Sequence, residues 1–244
     1  MRNIRLLVAY QGTHYCGWQS QKDQPTIQDA IEAALERIAG HRCTLIGSGR
    51  TDSGVHALGQ VANFKTTSAI STAALGRALN SLLAADIRIL RVAPAAADFH
   101  ARFDARTKLY RYQIYSGKVL SPFLAPFWHH APQSLDWSAM LRAARHFVGR
   151  HDFSAMAAAA TTAQDKRRRI LQSVLTRRGH RIVYRIRADG FLHHMVRNIA
   201  GTLLEVGLGN LRPADIPAIL KSRDRRRAGP TAAARGLLLV AVKY

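Results

Sequence analysis

Between residues 47 and 64 the chain reads Gly47-Ser48-Gly49-Arg50-Thr51-Asp52-Ser53-Gly54-Val55-His56-Ala57-Leu58-Gly59-Gln60-Val61-Ala62-Asn63-Phe64. Glycines at 47, 49, 54 and 59 let the backbone turn tightly and come close to a ligand, in conformations that other residues adopt only under strain. Arg50 and Asp52 are the side chains best suited to chemistry. Two positions apart in extended backbone, they project from the same side. A cation beside a carboxylate keeps it ionised where water is excluded, as an acidic nucleophile or base requires. An aspartate in such a Gly/Ser-rich turn is more often an Asx-turn or helix-cap residue than a catalyst. Nucleotide-binding loops are excluded: Gly49-x-x-x-x-Gly54 continues as Val55-His56 where a P-loop needs Lys and then Ser or Thr, and a dinucleotide fingerprint beginning at Gly47 needs glycine where Asp52 stands.

The elements that flank this stretch set its context. Ile4 to Tyr10 reads as a strand ending at Gln11-Gly12-Thr13, followed by Gly17-Trp18-Gln19, whose tryptophan suits core filling. Thr26 is placed to cap a helix, with Asp29 three residues on. Ile27, Ala30, Ile31, Ala34, Leu35 and Ile38 recur at helical spacing, and Gly40 closes it. A strand from Cys43 to Ile46, another from Gln60 to Lys65, a helix from Thr72 to Leu83 and a strand from Ile87 to Val92 complete an α+β half-domain with helices on one face.

Near Phe99-His100-Ala101-Arg102-Phe103 the pattern restarts, which divides the chain into an N-terminal domain over residues 1–104 and a C-terminal domain over 105–244. Tyr110 to Tyr115 is a strand, Ser121 to Pro132 a connection, and Leu135 to Val148 a helix ended by Gly149. Ala155 to Ala163 lacks amphipathic spacing and is expected to be a loop. Lys166-Arg167-Arg168-Arg169 is a dense basic run, either solvated or in contact with phosphate. In Arg181 to Ala188, Ile182, Tyr184, Ile186 and Ala188 alternate with Arg181, Val183, Arg185 and Arg187, so one face is apolar and the other mostly cationic. Phe191 to Val206 reads as a helix buried along Leu192, Met195, Val196, Ile199 and Leu203. His193, Arg197 and Gly201 lie on another face at intervals of four. Adjacent helical histidines point apart, so His193 and His194 are not read as a metal pair. Pro213 to Lys221 is a short helix and Gly236 to Lys243 a last strand. The halves repeat a similar order of elements without a visible sequence repeat.

Composition narrows the partner. The 244 residues are 48% hydrophobic, enough for packed cores. Thirty-six Lys and Arg against 15 acidic residues give a formal charge of +21, which argues for a polyanion, nucleic acid before an anionic membrane. No apolar run approaches the ~18 residues of a spanning helix, and the N-terminus lacks the features of a signal peptide, so a cytoplasmic location is expected. Cys16 and Cys43 are the only cysteines and form no C-x-x-C, against a disulfide framework or a cysteine zinc site.

Gly49 to Ala57 matches the signature G-R-T-D-x-G-V-H-A and resembles the tRNA pseudouridine synthase A family. Further landmarks look like family segments in family order: Gly17-Trp18-Gln19, Phe99 to Phe103, Tyr110-Arg111-Tyr112, His151-Asp152-Phe153, Phe191 to Gly201 and Gly236 to Val242. The resemblance implies two pseudosymmetric domains flanking a basic cleft, an isomerase that converts uridine to pseudouridine in the anticodon stem-loop of tRNA, and a homodimer. It implies Asp52 as nucleophile, Tyr110 as the aromatic of the active site, and Arg50 and Arg197 as groups that orient Asp52 or hold phosphates. Metal, redox cofactor and energy source are not expected. The chain departs from the family pattern at Ala232-Ala233-Ala234-Arg235, where Pro-Pro usually leads into the last strand, and at Gln11, where an Asp-Gly turn is usual; both put peripheral contacts in question. A non-catalytic RNA-binding protein would explain the arginines but not the Gly-Arg-Thr-Asp turn. A synthase of the same fold acting on another RNA is the third reading.

Overall fold

Along β1 (Arg2–Tyr10), Ile4, Leu6, Val8 and Tyr10 are buried at alternate positions, the period of a strand with one face against a core. The computed structural model describes residues 1–244, which fall into two compact units: Met1–Arg106 with Leu238–Tyr244, and Thr107–Leu237.

In the first unit, α1 (Ile27–Ala39) starts where the Thr26 hydroxyl accepts the Asp29 amide, and it stops at Gly40 in the left-handed conformation at φ 73°. Both ends follow the expected capping chemistry. Ile27, Ile31, Ala34 and Leu35 form its buried stripe. The strand expected from Cys43 shrinks to β2 (Ile46–Gly47). Side chains of α1 take the backbone groups that a longer strand would have used: the Leu45 amide donates to Glu32 Oε1 at 2.7 Å, and the Leu45 carbonyl accepts from Gln28 Nε2 at 3.3 Å. Then come β3 (His56–Thr66), α2 (Thr72–Leu82), capped by Ser71, and β4 (Ile87–Ala95).

The second unit opens with β5 (Thr107–Tyr115), then a connection containing β6 (His129–His130), then α3 (Trp137–Arg145), shorter than expected because Asp136 caps it by accepting the Ala139 amide. Two strands absent from the sequence reading follow, β7 (Gly149–Asp152) and β8 (Arg167–Arg178); the basic run of 166–169 leads into the second of them. Between them Ala155, Met156 and Ala157 are buried, so the start of the alanine-rich stretch packs against the protein. The expected strand is β9 (Arg181–Ala188). The next helix, α4 (Met195–Gly207), begins four residues later than the periodicity suggested, because His194 takes a left-handed conformation at φ 61° and ends any continuation toward Phe191. α5 (Ile216–Ser222) and β10 (Leu237–Lys243) complete the chain, β10 returning to the first unit from Leu238 onward.

The first unit's strands run in the order β4-β1-β3-β10, with β2 beside β3. All its pairings are antiparallel except β3 with β10, where His56 and Ala57 pair with Leu238 and Leu239. The second unit's strands run β5-β9-β8-β7, antiparallel, with β6 parallel to the end of β5. Tyr112 and Tyr184 are fully buried on the face that receives α3 and α4, and each phenol is satisfied: Tyr112 donates to the Ala233 carbonyl and Tyr184 bonds Ser173 Oγ, both at 2.8 Å. The architecture is α+β, as expected, and its strand pairings are mostly antiparallel.

Candidate active site

The Gly47–Phe64 stretch leaves the sheet at β2 and re-enters it at β3, so residues 48–55 form a loop at the sheet's end. At its tip the Val55 amide donates to the Asp52 carbonyl at 3.1 Å. Gly54 sits at φ 75° in the third position of that turn, where a type II turn needs glycine. Asp52 thereby opens a tight four-residue turn, and its residue is half-buried.

Three groups of contacts clamp the loop from below. Gly17, at φ 91°, lies against the backbone of Thr51 and Asp52; a Cβ there would sit 2.5 Å from the Thr51 carbonyl oxygen. The neighbouring Trp18 amide donates to that same oxygen at 3.1 Å, and the indole packs against Gly47. Trp18 is core filling, as expected, and is also part of the clamp. Second, the Tyr10 hydroxyl bonds Thr51 Oγ1 at 2.8 Å inside the core. Burial pushes the Tyr10 phenol well above its ordinary pKa, partly offset by hydrogen bonds to Thr51 and Gln60, so it stays neutral. Third, fully buried Gln60 accepts from Ser48 Oγ at 2.6 Å and from the Val61 amide, and donates to the Gly49 carbonyl at 2.8 Å. His56 Nδ1 accepts the Gly12 amide at 3.0 Å, which ties the end of β1 to the start of β3.

These supports were not legible as a motif, since Tyr10, Gly12 and Gln60 meet the loop only through folding. Gln60→Leu removes the acceptor of Ser48 and the donor to Gly49 at once, and unsatisfied buried groups cost about 1–3 kcal/mol each. We expect this variant to fold, with a lower melting temperature and a reduced turnover at saturating substrate. A wild-type turnover number would show that Gln60 does not set the loop's geometry.

Of the residues singled out from sequence, Arg50 and Asp52 lie in this loop, but their side chains differ in setting. Arg50 is exposed and forms no ion pair with Asp52, so the expected guanidinium support for the carboxylate from Arg50 is not present. The tight turn of the loop lies beyond both residues, at Ser53 and Gly54.

Tyr110 and Arg197 belong to the second unit. Tyr110 is buried on β5 opposite Ile186, its ring edge-on to Phe191 with centroids 5.0 Å apart. Arg197 stands in the first turn of α4, where Nε donates to the Ala232 carbonyl at 2.8 Å, while the Ala232 amide donates to the Arg197 carbonyl at 3.2 Å. The backbone of the unusual alanine segment therefore fixes this guanidinium, and proline is not needed for the contact. Gly201 and Gly229 allow the approach: a Cβ on Gly201 would overlap the Pro230 carbonyl oxygen, and one on Gly229 would lie 2.7 Å from the Thr202 Cα. Asn198 completes the joint, with Oδ1 accepting from Thr231 at 2.7 Å and from Arg225 at 3.0 Å. His193 and His194 are not on the helix, and their rings lie 4.0 Å apart, so the divergence expected of adjacent helical positions does not apply.

Sequence comparison adds an independent finding. The family model described as tRNA pseudouridine synthase matches residues 6–104 and 143–244. The chain is 47% identical over 244 residues to tRNA pseudouridine synthase A of Acetivibrio thermocellus, covering 100% of both chains. It is 46% identical to the protein of that name in Caldicellulosiruptor saccharolyticus and 47% identical to that of Caldicellulosiruptor bescii, again over 100% of each. The chain belongs to the tRNA pseudouridine synthase family, whose members are isomerases.

Proposed function

We propose that this protein isomerises uridine to pseudouridine in the anticodon stem-loop of tRNA, with Asp52 as the nucleophile and no cofactor. The observation that carries the reading is the placement of Asp52 at the head of a turn clamped by Tyr10, Trp18 and Gln60, within the residues that the family model matches.

The reaction breaks the bond from ribose C1′ to uracil N1 and makes one from C1′ to C5; the C5 proton leaves and N1 gains a proton, so atoms and electrons balance within the nucleotide. A carboxylate held rigidly can form the transient adduct, at C1′ or at C6 of the ring, while the detached base stays in its pocket to rotate. The target nucleotide must first leave its stack, and the Tyr110 face supports the extruded base. Arg197, oriented by Ala232, and Arg50 hold the flanking phosphates. In this reading residues 1–104 form the domain that carries the nucleophile, and residues 105–244 form the C-terminal domain. The active species is a cytoplasmic homodimer, as the family resemblance implies. No helix is long and apolar enough to cross a membrane.

Purified protein mixed with an unmodified tRNA transcript should convert uridine to pseudouridine without added metal or nucleotide. Digestion and mass analysis after a pseudouridine-selective derivatisation read the product. Tight RNA binding with no conversion under any ion condition would leave the non-catalytic RNA-binding reading in its place.

A further inference from the structure

Tyr110 and Arg111 are consecutive on β5 and so face opposite sides of the sheet. The side bearing Tyr110 is packed. On the other side, Arg111 lies directly across from Arg185 of β9, and Arg187 follows two residues along, opposite Leu109. Like charges set directly opposite each other in an antiparallel pair are destabilising. Nothing within the protein relieves this one. None of the three arginines forms an ion pair, and across β8 their neighbours are Val174 and Gln172. The Arg185 guanidinium reaches only the Thr176 hydroxyl, at 3.3 Å. The Arg111 Nε is buried without a hydrogen-bond partner. Partial burial, with the Arg185 charge beside it, lowers the Arg111 pKa. The chain thus retains a costly arrangement of cations on a sheet face where a single carboxylate would have been stabilising.

We propose that Arg111, Arg185 and Arg187 form a phosphate-binding strip that holds a stretch of RNA backbone separate from the target uridine. The RNA occupant rests on the proposed function; the anionic character of the ligand rests on the strip alone. Residues two apart on a strand are about 7 Å apart, so the strip presents cations in series to a charged chain rather than to one small anion. An acidic protein segment is the competing occupant: the net charge of +21 attracts either polyanion, and the family, described as tRNA pseudouridine synthase, favours RNA.

The test compares wild type, the double variant Arg185→Gln with Arg187→Gln, and Arg185→Asp, using an unmodified tRNA transcript, with poly-glutamate as the alternative ligand. Each lost phosphate contact removes about 0.7–0.9 from the slope of log affinity against log salt. The double variant should therefore lose about 1.4–1.8 from that slope, so that its deficit in tRNA affinity shrinks about tenfold between 50 and 200 mM salt. Turnover at saturating tRNA should not change. Arg185→Asp places a carboxylate opposite Arg111 and should melt about 2 °C higher, yet bind tRNA more weakly than the double variant. A residue kept for folding cannot give that combination.

Unchanged tRNA affinity and slope in the double variant would overturn the proposal. So would a lower melting temperature for Arg185→Asp, or loss of poly-glutamate binding with tRNA binding intact. If the wild type makes no pseudouridine, the functional reading fails, and the salt slopes still decide the strip.

Discussion

Asp52→Asn should abolish pseudouridine formation while leaving tRNA affinity at or slightly above the wild-type value. The amide keeps the size of the side chain and does not disturb the hydrogen bond from the Val55 amide to the Asp52 carbonyl, which belongs to the backbone. It cannot form the adduct on which the bond exchange depends, and loss of a nucleophile from a site that acts as a unit costs about 10³-fold or more in turnover. Removing one negative charge from a surface that meets phosphate cannot weaken binding electrostatically. Parallel measurements of tRNA binding and of single-turnover product separate the two effects. A variant that turned over at the normal rate would move the chemistry to another residue.

The second large effect is on folding. Gly201→Val should lower the melting temperature by about 6–12 °C, corresponding to about 3 kcal/mol of overpacking. The contact at Gly201 is with the Pro230 carbonyl, and Gly229 meets the Thr202 Cα, so two backbones are in contact and no flexible side chain can give way. The displaced segment carries Ala232, whose backbone holds Arg197 from both sides. The loss of stability should therefore come with reduced activity at temperatures where the variant is still folded. A circular-dichroism melt at the wild-type temperature would show that residues 229–232 do not lie along α4 as described.

Elements built on local rules were legible in the sequence. The Thr26 cap, the Ile27–Leu35 stripe and the Gly40 stop define α1 without tertiary information, and the alternation of β9 separates its buried tyrosine and isoleucines from its arginines. β8 was hidden for two reasons. Its first residues are arginines that read as a solvated run, and a shift of register between Ile170 and Gln172 breaks the alternation that would have revealed it. Periodicity alone sets the start of α4 too early, because Leu192 is buried in phase with the helix although it precedes the left-handed turn at His194.

At the site, the signature around Asp52 could be read directly. Its supports could not: Tyr10, Gly12 and Gln60 show no pattern until the fold brings them beneath the loop. Two-residue spacing suggests that Arg50 supports Asp52, but spacing does not fix where a long side chain goes, and Arg50 is exposed with no ion pair to Asp52.

The most direct test of Asp52 as the isomerising group is a map of pseudouridine in tRNA from cells lacking the gene, complemented with either the wild-type protein or Asp52→Asn. Anticodon stem-loop pseudouridines should vanish in the deletion, return with the wild type and stay absent with the variant. Sites that persist in the deletion, or that the variant restores, would contradict that role for Asp52.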